Sequence, residues 1–311
     1  MLDIKLIRED PKGVEKELQK KDPSISLKEI ISLDTQVRAL KTEVEEIKHQ
    51  RNHLSKQIGE LKRQKKSAEA LLQEVSDKGG LIDEKDRQLL ELQEQFSSLI
   101  SVLPNLPSPE APVSHDPNDN VCTKTVGQEP SFSFPLKNHL ELNETLKLFD
   151  FERGAKLTGS GWPVYTSKGA RLEWALINFM LSHHIKKGFL QWMPPLLVKE
   201  EMMYAAGQYP KFKNQAYEIE EEHQNYALIP TAEVALNGLH VSEVIDEKNL
   251  PLRYVAYTPC FRKEAGAAGA QERGLIRVHQ FNKVEMFGFA RPDKSDELFE
   301  SFVSNAEELI E

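Results

Sequence analysis

The sequence predicts an α+β protein built from two parts: a long antiparallel α-helical coiled-coil hairpin, then an antiparallel β-sheet domain flanked by helices. Three observations support this fold class. Apolar residues recur with coiled-coil spacing in the first third of the chain, five prolines crowd residues 104–117, and strand-like segments alternate with ordinary helices from about Val121 onward. With 311 residues, and roughly 100–200 residues per domain as a guide, two domains are expected.

Composition narrows the class of protein further. Hydrophobic residues make up 39% of the chain, which is enough for at least one sizeable core. The net charge of -9 argues against a uniformly basic nucleic-acid-binding surface, although charge can still be segregated along the chain. Cys122 and Cys260 lack a metal-type spacing and favour a reducing compartment. Since no signal peptide or long apolar run is present, we expect a soluble, cytoplasmic protein that does not enter a membrane.

The helical hairpin is predicted from about residue 27 to residue 103. Ser26, with Glu29 three residues later, forms a capping-box pattern that marks a helix start. Apolar residues then recur at alternating spacings of four and three, with Arg51 in one slot, as in the narrow seam of a coiled coil. The first seam comprises Leu33, Val37, Leu40, Val44, Ile47, Leu54, Ile58 and Leu61, and the second comprises Ala68, Leu71, Val75, Ile82, Leu89, Leu92, Phe96, Leu99 and Leu103.

The segment between the seams, residues 62–67, suits a tight turn, with Ser67 as a candidate cap for the second helix. Lys78 and Lys85 fill the polar slots of the second seam, whose phase continues through the glycine pair at 79–80. The glycines should therefore weaken this helix by about 1 kcal/mol each relative to alanine without ending it. Arms of about 35 helical residues would each be about 50 Å long.

The two arms differ in charge. Residues 48–66 contain seven basic residues and one acid, whereas residues 67–103 contain eight acids and three bases. A basic tip on an acidic protein suits phosphate binding at long reach. The alternatives are a solvated coiled-coil face, or a hairpin that serves only dimerisation or scaffolding, and the hairpin alone does not decide between them. The basic residues are Lys48, Arg51, Lys56, Lys62, Arg63, Lys65 and Lys66.

The proline-rich stretch 104–120 is predicted to be a linker between an N-terminal domain, 1–103, and a second domain, 121–311. In the second domain, residues 171–189 read as an amphipathic or buried helix that ends near Gly188. The stretch FLQWMPPLLV reads as one strand closing on prolines, and NYALIP, RYVAYTPCFR and RVHQFNKVEMFGF as further strands. His183 and His184 are adjacent on the helix and cannot face one ligand, so we expect them to be surface or core residues.

The last two of these strands predict a β-hairpin with several charged and aromatic side chains on one face. Side chains alternate between the faces of a strand, so Arg277, Phe281 and Glu285 share one face with His279 and Lys283, while Val278, Val284 and Met286 line the other. Arg262 and Glu264 share a face on the preceding strand. Arginine suits phosphate oxygens, an aromatic ring can stack on a base, and a carboxylate can hold an ammonium group. The alternative is an amphipathic hairpin whose polar face is only hydrated.

The residue strings around this hairpin resemble a known family. TPCFRKEAG followed by RGLIRVHQFNKVEMF closely resembles the second signature motif of class II aminoacyl-tRNA synthetases, in the form used by seryl-tRNA synthetases. PPLLVKEEMMYAAGQYPKF looks like the first motif, with Pro195 at the dimer-interface position, and PTAE looks like the serine-binding loop. The helical hairpin, ending in LPNLP, is similar to the arm with which bacterial-type enzymes hold tRNA-Ser. The resemblance covers nearly the whole chain.

This resemblance implies a serine–tRNA ligase that converts L-serine and ATP to seryl-adenylate and then transfers serine to the 3′ end of tRNA-Ser. ATP with Mg2+, a homodimer and the basic residues of the hairpin as tRNA contacts are implied with it, and selenocysteine tRNA is left open as a further substrate. Arg262 would act as the catalytic arginine at the α-phosphate. The implied ATP-binding residues are Arg262, Lys263, Glu264, Arg277, Val278 and Phe281, and the implied serine-binding residues are Thr231, Ala232, Glu233 and Glu285.

One part of the family pattern cannot be placed in the sequence. A glycine-rich third motif with an ATP-binding arginine, and the Mg2+ ligands before it, are expected beyond residue 311. The sequence is therefore expected to be a fragment that lacks activation activity by itself, with a C-terminally incomplete catalytic domain and no metal ligand assignable. The alternative is a tRNA-binding module with an inactive catalytic domain.

Overall fold

The computed structural model describes residues 2–114, 116–265 and 274–311. These form two compact units, Met1–Thr123 and Lys124–Glu311. Both lie in the predicted order, a helical hairpin first and sheets with flanking helices second, so the predicted fold class is confirmed. Within the described residues, no helix combines the length and apolarity needed to cross a bilayer.

The first unit is helical. Two short helices precede a hairpin of two long ones, and their apolar side chains form one core at the base of the hairpin. Ile7, Leu18, Leu27, Ile30 and Ile100 are buried in that core. The helices are α1 (Ile4–Glu9), α2 (Pro11–Gln19), α3 (Lys28–Arg63) and α4 (Glu69–Ser101).

The two seams of the hairpin meet as the heptad spacing predicts. Val44, Ile58 and Ile82 are buried, and the other seam positions are at least partly covered. The polar slots are filled by contacts between the arms, because Lys78 Nζ donates to Gln50 Oε1 at 2.8 Å and Lys85 Nζ lies 2.8 Å from a Glu43 oxygen. The 36 residues of α3 make an arm about 54 Å long, and α4 continues through the glycine pair at 79–80, as predicted.

The predicted helix caps are wrong. Helix α3 begins at Lys28, whose N–H donates to Ser26 Oγ at 3.4 Å, but no capping box with Glu29 is formed, and the Leu27 N–H donates to Glu15 Oε2 on α2 at 2.6 Å. Helix α4 is preceded by Ala68, and Ser67 does not cap it. A capping box uses groups three residues apart, whereas here the acceptor comes from a neighbouring helix and is invisible to a local pattern.

The second unit consists of short sheets held between helices. Irregular chain continues past the predicted linker as far as Asn138, with a short 3-10 turn at Pro117–Asp119. The elements that follow are α5 (His139–Leu146), β1 (Phe149–Asp150), α6 (Phe151–Thr158), β2 (Val164–Tyr165), α7 (Ser167–Lys186), β3 (Leu190–Trp192), β4 (Leu197–Lys199), α8 (Glu200–Ala205), β5 (Glu218–Glu221), β6 (Gln224–Leu228), α9 (Ala232–Gly238), β7 (Leu252–Phe261), β8 (Gln280–Phe289) and α10 (Ser295–Ile310).

Three sheets are present among the described residues, in the orders β1-β2, β3-β7-β8 and β4-β6-β5. Their strand pairs are antiparallel except that β3 runs parallel to β7. The single strand predicted for FLQWMPPLLV is wrong, because that stretch contains β3 and β4, which belong to different sheets. Pro194 and Pro195 separate them and cannot donate to a strand ladder.

The central sheet is covered on both faces, and this fixes where the site lies. On one face, Val255 packs with Ile177 and Leu181 of α7. On the other face, Tyr254 and Ala256 pack with α9. Alternation therefore turns Phe281, Lys283 and Glu285 of β8 toward the α9 side, while Val284 and Met286 face α7, as the sequence predicts. Helix α7 ends at Lys186, and Gly188 follows with a φ of 89°.

Candidate active site

The candidate site is the α9-facing side of strands β7 and β8, together with the chain that joins them. Ten residue pairs, from Leu252↔Phe289 to Phe261↔Gln280, hold the two strands in register. Pairing continues for one further residue, since the Arg262 N–H donates to the His279 carbonyl at 2.9 Å. Part of the predicted motif between the strands, residues 266–273, lies outside the described residues. The strands thus present a fixed row of side chains next to α9.

A cavity of about 370 Å³ opens beside this row. Arg262, Glu264 and Arg277, three of the residues predicted to bind ATP, line it together with Pro230. Arg277 Nε lies 2.5 Å from Glu264 Oε2, and Arg262 Nε donates to the Pro230 carbonyl at 3.3 Å. Glu264 has a φ of 47°, a left-handed backbone conformation that residues other than glycine rarely adopt. Two guanidinium groups therefore lie at one cavity of nucleotide size.

Phe281 lies next to Arg262. The Arg262 guanidinium carbon is 5.0 Å from the centre of the Phe281 ring, within the range of a cation–π contact. Lys263 is exposed, and its backbone N–H donates to the Gln215 carbonyl at 2.8 Å. Val278 is buried, with 8% of its surface exposed. The predicted ATP-binding residues other than Lys263 and Val278 thus form a continuous charged and aromatic surface.

The predicted serine-binding residues meet at the N-terminus of α9. Thr231 Oγ1 donates to Glu285 Oε2 at 2.5 Å and accepts from the Glu233 N–H at 3.2 Å. Burial raises the pKa of Glu233, and the negative charge of Glu285 raises it further, while Lys283 opposes the shift. Ala232 is fully buried and packs in the core between α9 and the sheet.

Lys283 is the functional candidate whose role sequence reasoning left open. Its ammonium nitrogen lies 2.6 Å from both Thr231 Oγ1 and Glu285 Oε2. Strand alternation places Lys283 on the correct face, but only the packing of α9 against β8 brings it onto Thr231. His279, the other residue without an assigned role, stacks on Trp162 at 5.5 Å, and its Nδ1 lies 3.2 Å from the Tyr217 hydroxyl.

Two residues that sequence reasoning missed brace the chain between the strands. Gln215 contacts it at three points, because its side chain accepts from the Ala265 N–H and donates to the Ala265 carbonyl, and its own carbonyl accepts from Lys263. His139 Nε2 accepts from the Leu275 N–H at 3.1 Å. Neither residue belongs to a periodic pattern, so no sequence signal indicates the contact.

Other candidate residues lie apart from this site. His184 is buried against Phe189, and burial lowers its pKa, as befits the core residue we expected. Among the described residues, no three His, Cys, Asp or Glu side chains come together in a way that could hold a metal ion. Pro195 is exposed, next to Met193, of which 89% is exposed.

In the first unit, the basic residues of the hairpin differ in their exposure to solvent and in their ion pairs. Lys48 Nζ lies 2.9 Å from Asp86 Oδ2 on α4, and Arg51 is partly covered in the seam. The remaining five are exposed around the end of α3 and the turn after it: Lys56, Lys62, Arg63, Lys65 and Lys66. The tip of the hairpin therefore presents the cations to solvent.

Comparisons with known proteins agree with these two units. Residues 1–107 match the family model of the seryl-tRNA synthetase N-terminal domain, and residues 214–311 match that of the tRNA synthetase class II core domain (G, H, P, S and T). The serine–tRNA ligase of Chlamydia pneumoniae is 50% identical over 310 residues, which cover the whole chain and 73% of that relative. The serine–tRNA ligase of Chlamydia trachomatis serovar D is 47% identical, and the match covers the whole chain and 72% of that relative.

Solved structures show the same likeness. The seryl-tRNA synthetase from Pyrococcus horikoshii complexed with ATP superimposes with a TM-score of 0.84 at 36% identity, covering 100% of this chain and 74% of that one. The cytoplasmic serine-tRNA ligase from Naegleria fowleri in complex with AMP has a TM-score of 0.79 at 23% identity, covering 99% of this chain and 75% of that one. Because the identity is only 23%, the match to the Naegleria fowleri structure supports the fold alone.

Proposed function

The chain belongs to the seryl-tRNA synthetase family, and on that basis we propose that its residues serve the reaction of a serine–tRNA ligase, in which L-serine and ATP form seryl-adenylate and serine is then transferred to tRNA-Ser. The observation that carries this proposal is the juxtaposition on one sheet face of a cavity with two arginines and a pocket with two carboxylates. Arg262 and Arg277 suit the phosphates of ATP, and Glu233 and Glu285 suit an amino acid's ammonium and hydroxyl groups. The cytoplasm, which the scarcity of cysteine favours, is the compartment we propose.

The proposed chemistry needs no general base among these residues. The serine carboxylate is already a nucleophile, and its oxygen attacks the α-phosphorus as pyrophosphate leaves. The rate then depends on holding the reactants in line and on stabilising the charge at the α-phosphate. Arg262 is exposed at the cavity, where one long hydrogen bond and the Phe281 ring hold it, so its guanidinium can turn to a phosphate. A hydroxyl of the 3′-terminal ribose of the tRNA then attacks the seryl carbonyl carbon, and AMP leaves.

Mg2+ accompanies ATP in this proposal and would shield the charge of its phosphates. The described residues do not supply a carboxylate cluster that fits the ion, because no group of three or more suitable ligands comes together among them. The roles proposed for the residues of the site therefore do not depend on a metal ligand among the described residues.

Selection of serine follows from the polar pocket. The groups that it offers to a ligand are the half-buried carboxylates of Glu233 and Glu285. Alanine lacks the hydroxyl and would leave such groups unpaired, which costs more than a missing methyl group in an apolar pocket. Threonine must be excluded mainly by the size of the pocket.

Two partners complete the proposal. The exposed cations of the hairpin tip would bind phosphates of tRNA-Ser. A second copy of the chain would cover an apolar surface on α7 and the edge of the sheet, where Leu172, Leu176 and Phe179 recur at helical spacing and are each about half exposed or more. Pro195, at the predicted dimer-interface position, and Met193 are also exposed after β3. A surface of this kind suits the two-fold contact of a homodimer.

Ligand binding to the purified chain tests the proposal directly. We expect ATP to bind, as measured by calorimetry, and expect Arg262→Gln to weaken it by about 10- to 150-fold, since a charge-assisted hydrogen bond contributes about 1.5–3 kcal/mol. Arg291→Gln is the matched control, because Arg291 is paired with Asp293 on the surface instead of lining the cavity. L-Serine should raise the unfolding temperature more than L-alanine or L-threonine does. Equal ATP affinity in the two variants, or equal response to the three amino acids, would refute the proposal.

A further inference from the structure

The amino-acid pocket contains a cation of its own. The Lys283 ammonium donates to Thr231 Oγ1 at 2.6 Å and is paired with Glu285 Oε2 at 2.6 Å. The Thr231 hydroxyl donates to the same carboxylate oxygen at 2.5 Å, so the three groups form a closed triangle. Lys283 thus occupies a place at which an ammonium group is bound by a hydroxyl and a carboxylate.

This triangle uses all the hydrogen-bonding capacity of the Thr231 hydroxyl. A hydroxyl has one proton to donate and two lone pairs with which to accept. The proton goes to Glu285, and the lone pairs accept from Lys283 and from the Glu233 N–H. Thr231 therefore has no remaining group for a ligand, and its side chain serves to orient Glu285.

The groups left for a ligand belong to the two glutamates. The Glu233 side chain forms no hydrogen bond or ion pair within the described part of the chain, and it is half-buried beside Glu285. The second oxygen of Glu285, Oε1, is likewise outside the triangle. An amino acid with a hydroxyl side chain offers two matching groups, an ammonium for Glu233 and a hydroxyl for Glu285 Oε1.

The charge balance depends on Lys283. Glu233 and Glu285 repel each other, and Lys283 is the cation that offsets this repulsion at Glu233. From β7, Cys260 also faces these groups, but burial raises the pKa of its thiol, so it adds no negative charge. Arg262, after β7, lies farther along the same face and is directed to the Phe281 ring. Without Lys283, the cation that opposes the rise in the pKa of Glu233 would be lost.

We propose that Lys283 is the positioning residue that balances the charge of the amino-acid pocket: its ammonium fixes Thr231 and Glu285 and offsets the negative charge of Glu285 beside Glu233, which is left to bind the ammonium of the incoming L-serine. The identity of the amino acid rests on the proposed function, whereas the positioning of Thr231 and Glu285 by Lys283 rests on the three contacts. Arginine at position 283 keeps the charge, and methionine keeps most of the shape without it. The two variants therefore separate charge from packing.

The test uses Lys283→Met and Lys283→Arg in the whole chain, with Lys248→Met as the control for loss of an exposed, paired lysine. The glutamate carboxyl carbons are labelled with 13C and followed by NMR as the pH is varied, and Glu233→Gln assigns the signal of Glu233. We expect the Glu233 carboxyl to titrate at a higher pH in Lys283→Met than in wild type, and to return most of the way in Lys283→Arg. Lys248→Met should leave the titration unchanged.

A second readout is the affinity for L-serine as a function of pH. Since binding requires ionised Glu233, the affinity should begin to fall at a higher pH in Lys283→Met than in wild type. Below the pKa of Glu233, each further pH unit should cost about a tenfold loss of affinity. An unmoved carboxyl titration in Lys283→Met, even with a lowered unfolding temperature, refutes the role of Lys283. A wild-type chain that binds ATP but no L-serine refutes the proposed function instead.

Discussion

Lys48 and Lys56 lie eight residues apart on the same helix and differ in their surroundings. Lys48 Nζ is 2.9 Å from Asp86 on the other arm, whereas Lys56 is exposed and has no ion pair in the part of the chain that the structure describes. If Lys48 turned to an RNA phosphate, Asp86 would lose its partner, and the gain would be offset in part. We therefore expect Lys48→Gln to affect binding of serine tRNA much less than Lys56→Gln, although each removes one positive charge.

The magnitude follows from counterion release. Each phosphate neutralised by a protein cation contributes about 0.7–0.9 to the slope of log affinity against log salt concentration. Between about 50 and 200 mM salt, a fourfold change, one such contact changes the affinity ratio by about threefold. Lys56→Gln should therefore lower the slope by about 0.7–0.9, which reduces the ratio of the affinities at about 50 and 200 mM salt by about threefold, and Lys48→Gln should lower it by clearly less.

The assay is fluorescence anisotropy of labelled serine tRNA titrated with the whole chain at several salt concentrations. Asp86→Asn provides the reciprocal variant, because it releases Lys48 from its pair and removes a negative charge, and it should steepen the salt dependence. Equal slope changes in Lys48→Gln and Lys56→Gln, or an unchanged slope in Asp86→Asn, would show that the ion pair does not govern which cations meet the RNA. An unchanged slope in all three would speak against the hairpin as a phosphate-binding surface.

Three further predictions concern stability and assembly. Asp34 is only 5% exposed, and the hydrogen bonds from Arg8 and Arg38 hold its pKa below its usual range. Asp34→Asn should lower the free energy of unfolding in urea by about 1–2 kcal/mol at pH 7. This difference should vanish as acid protonates the wild-type carboxylate. Gly154→Ala should cost about 2 kcal/mol or more, because its Cβ would lie 1.8 Å from the Trp162 carbonyl oxygen, whereas Gly59→Ala, with open space around it, should stabilise its helix. Phe179→Asp should convert dimers to monomers in sedimentation velocity; an unchanged sedimentation coefficient would argue against the α7 surface as the dimer contact.

The sign of the Asp34 effect follows from where the proton is bound. The carboxylate is paired in the folded chain and free in the unfolded one, so its folded pKa is the lower of the two. Its contribution is fully present above the unfolded pKa, roughly 3.9, and is lost as the pH falls through the folded pKa. A loss in Asp34→Asn that stayed constant down to acid pH would mean that packing, and not the charge, carries the effect.

The long hairpin could be predicted almost residue by residue because its stabilising contacts are periodic. Every apolar seam position is at least partly covered, and even the polar slots at Lys78 and Lys85 face the partner arm. Its ends could not be predicted in the same way. The Leu27 N–H is satisfied by Glu15, twelve residues earlier on another helix, and no local pattern contains that information.

The candidate site shows the same contrast between what a local pattern predicts and what depends on tertiary packing. Alternation in β8 is a local property of the strand, and it is enough to place Phe281, Lys283 and Glu285 on one face. Which of these side chains touch Thr231 depends on how α9 packs on the sheet, and this is a tertiary property. Gln215 was missed for the same reason, since its three contacts with the motif come from a turn that carries no periodic signal.

A common principle connects the charged groups of the site. Arg277, Lys283 and Arg262 on the sheet face each have a partner within the chain: Glu264, Glu285 and the Phe281 ring, respectively. Pairing lowers the cost of holding these charges in a partly buried pocket, which would otherwise be several kcal/mol per isolated ion. Binding of a phosphate to these arginines, as proposed, would therefore exchange partners, and its net free energy would be the difference between the two sets of contacts. A phosphate can outcompete Glu264 for Arg277 because it offers more oxygens and more charge, whereas a single ammonium gains little by displacing Lys283. The geometry thus makes the arginine side of the site exchangeable and leaves the lysine as a fixed part of the pocket.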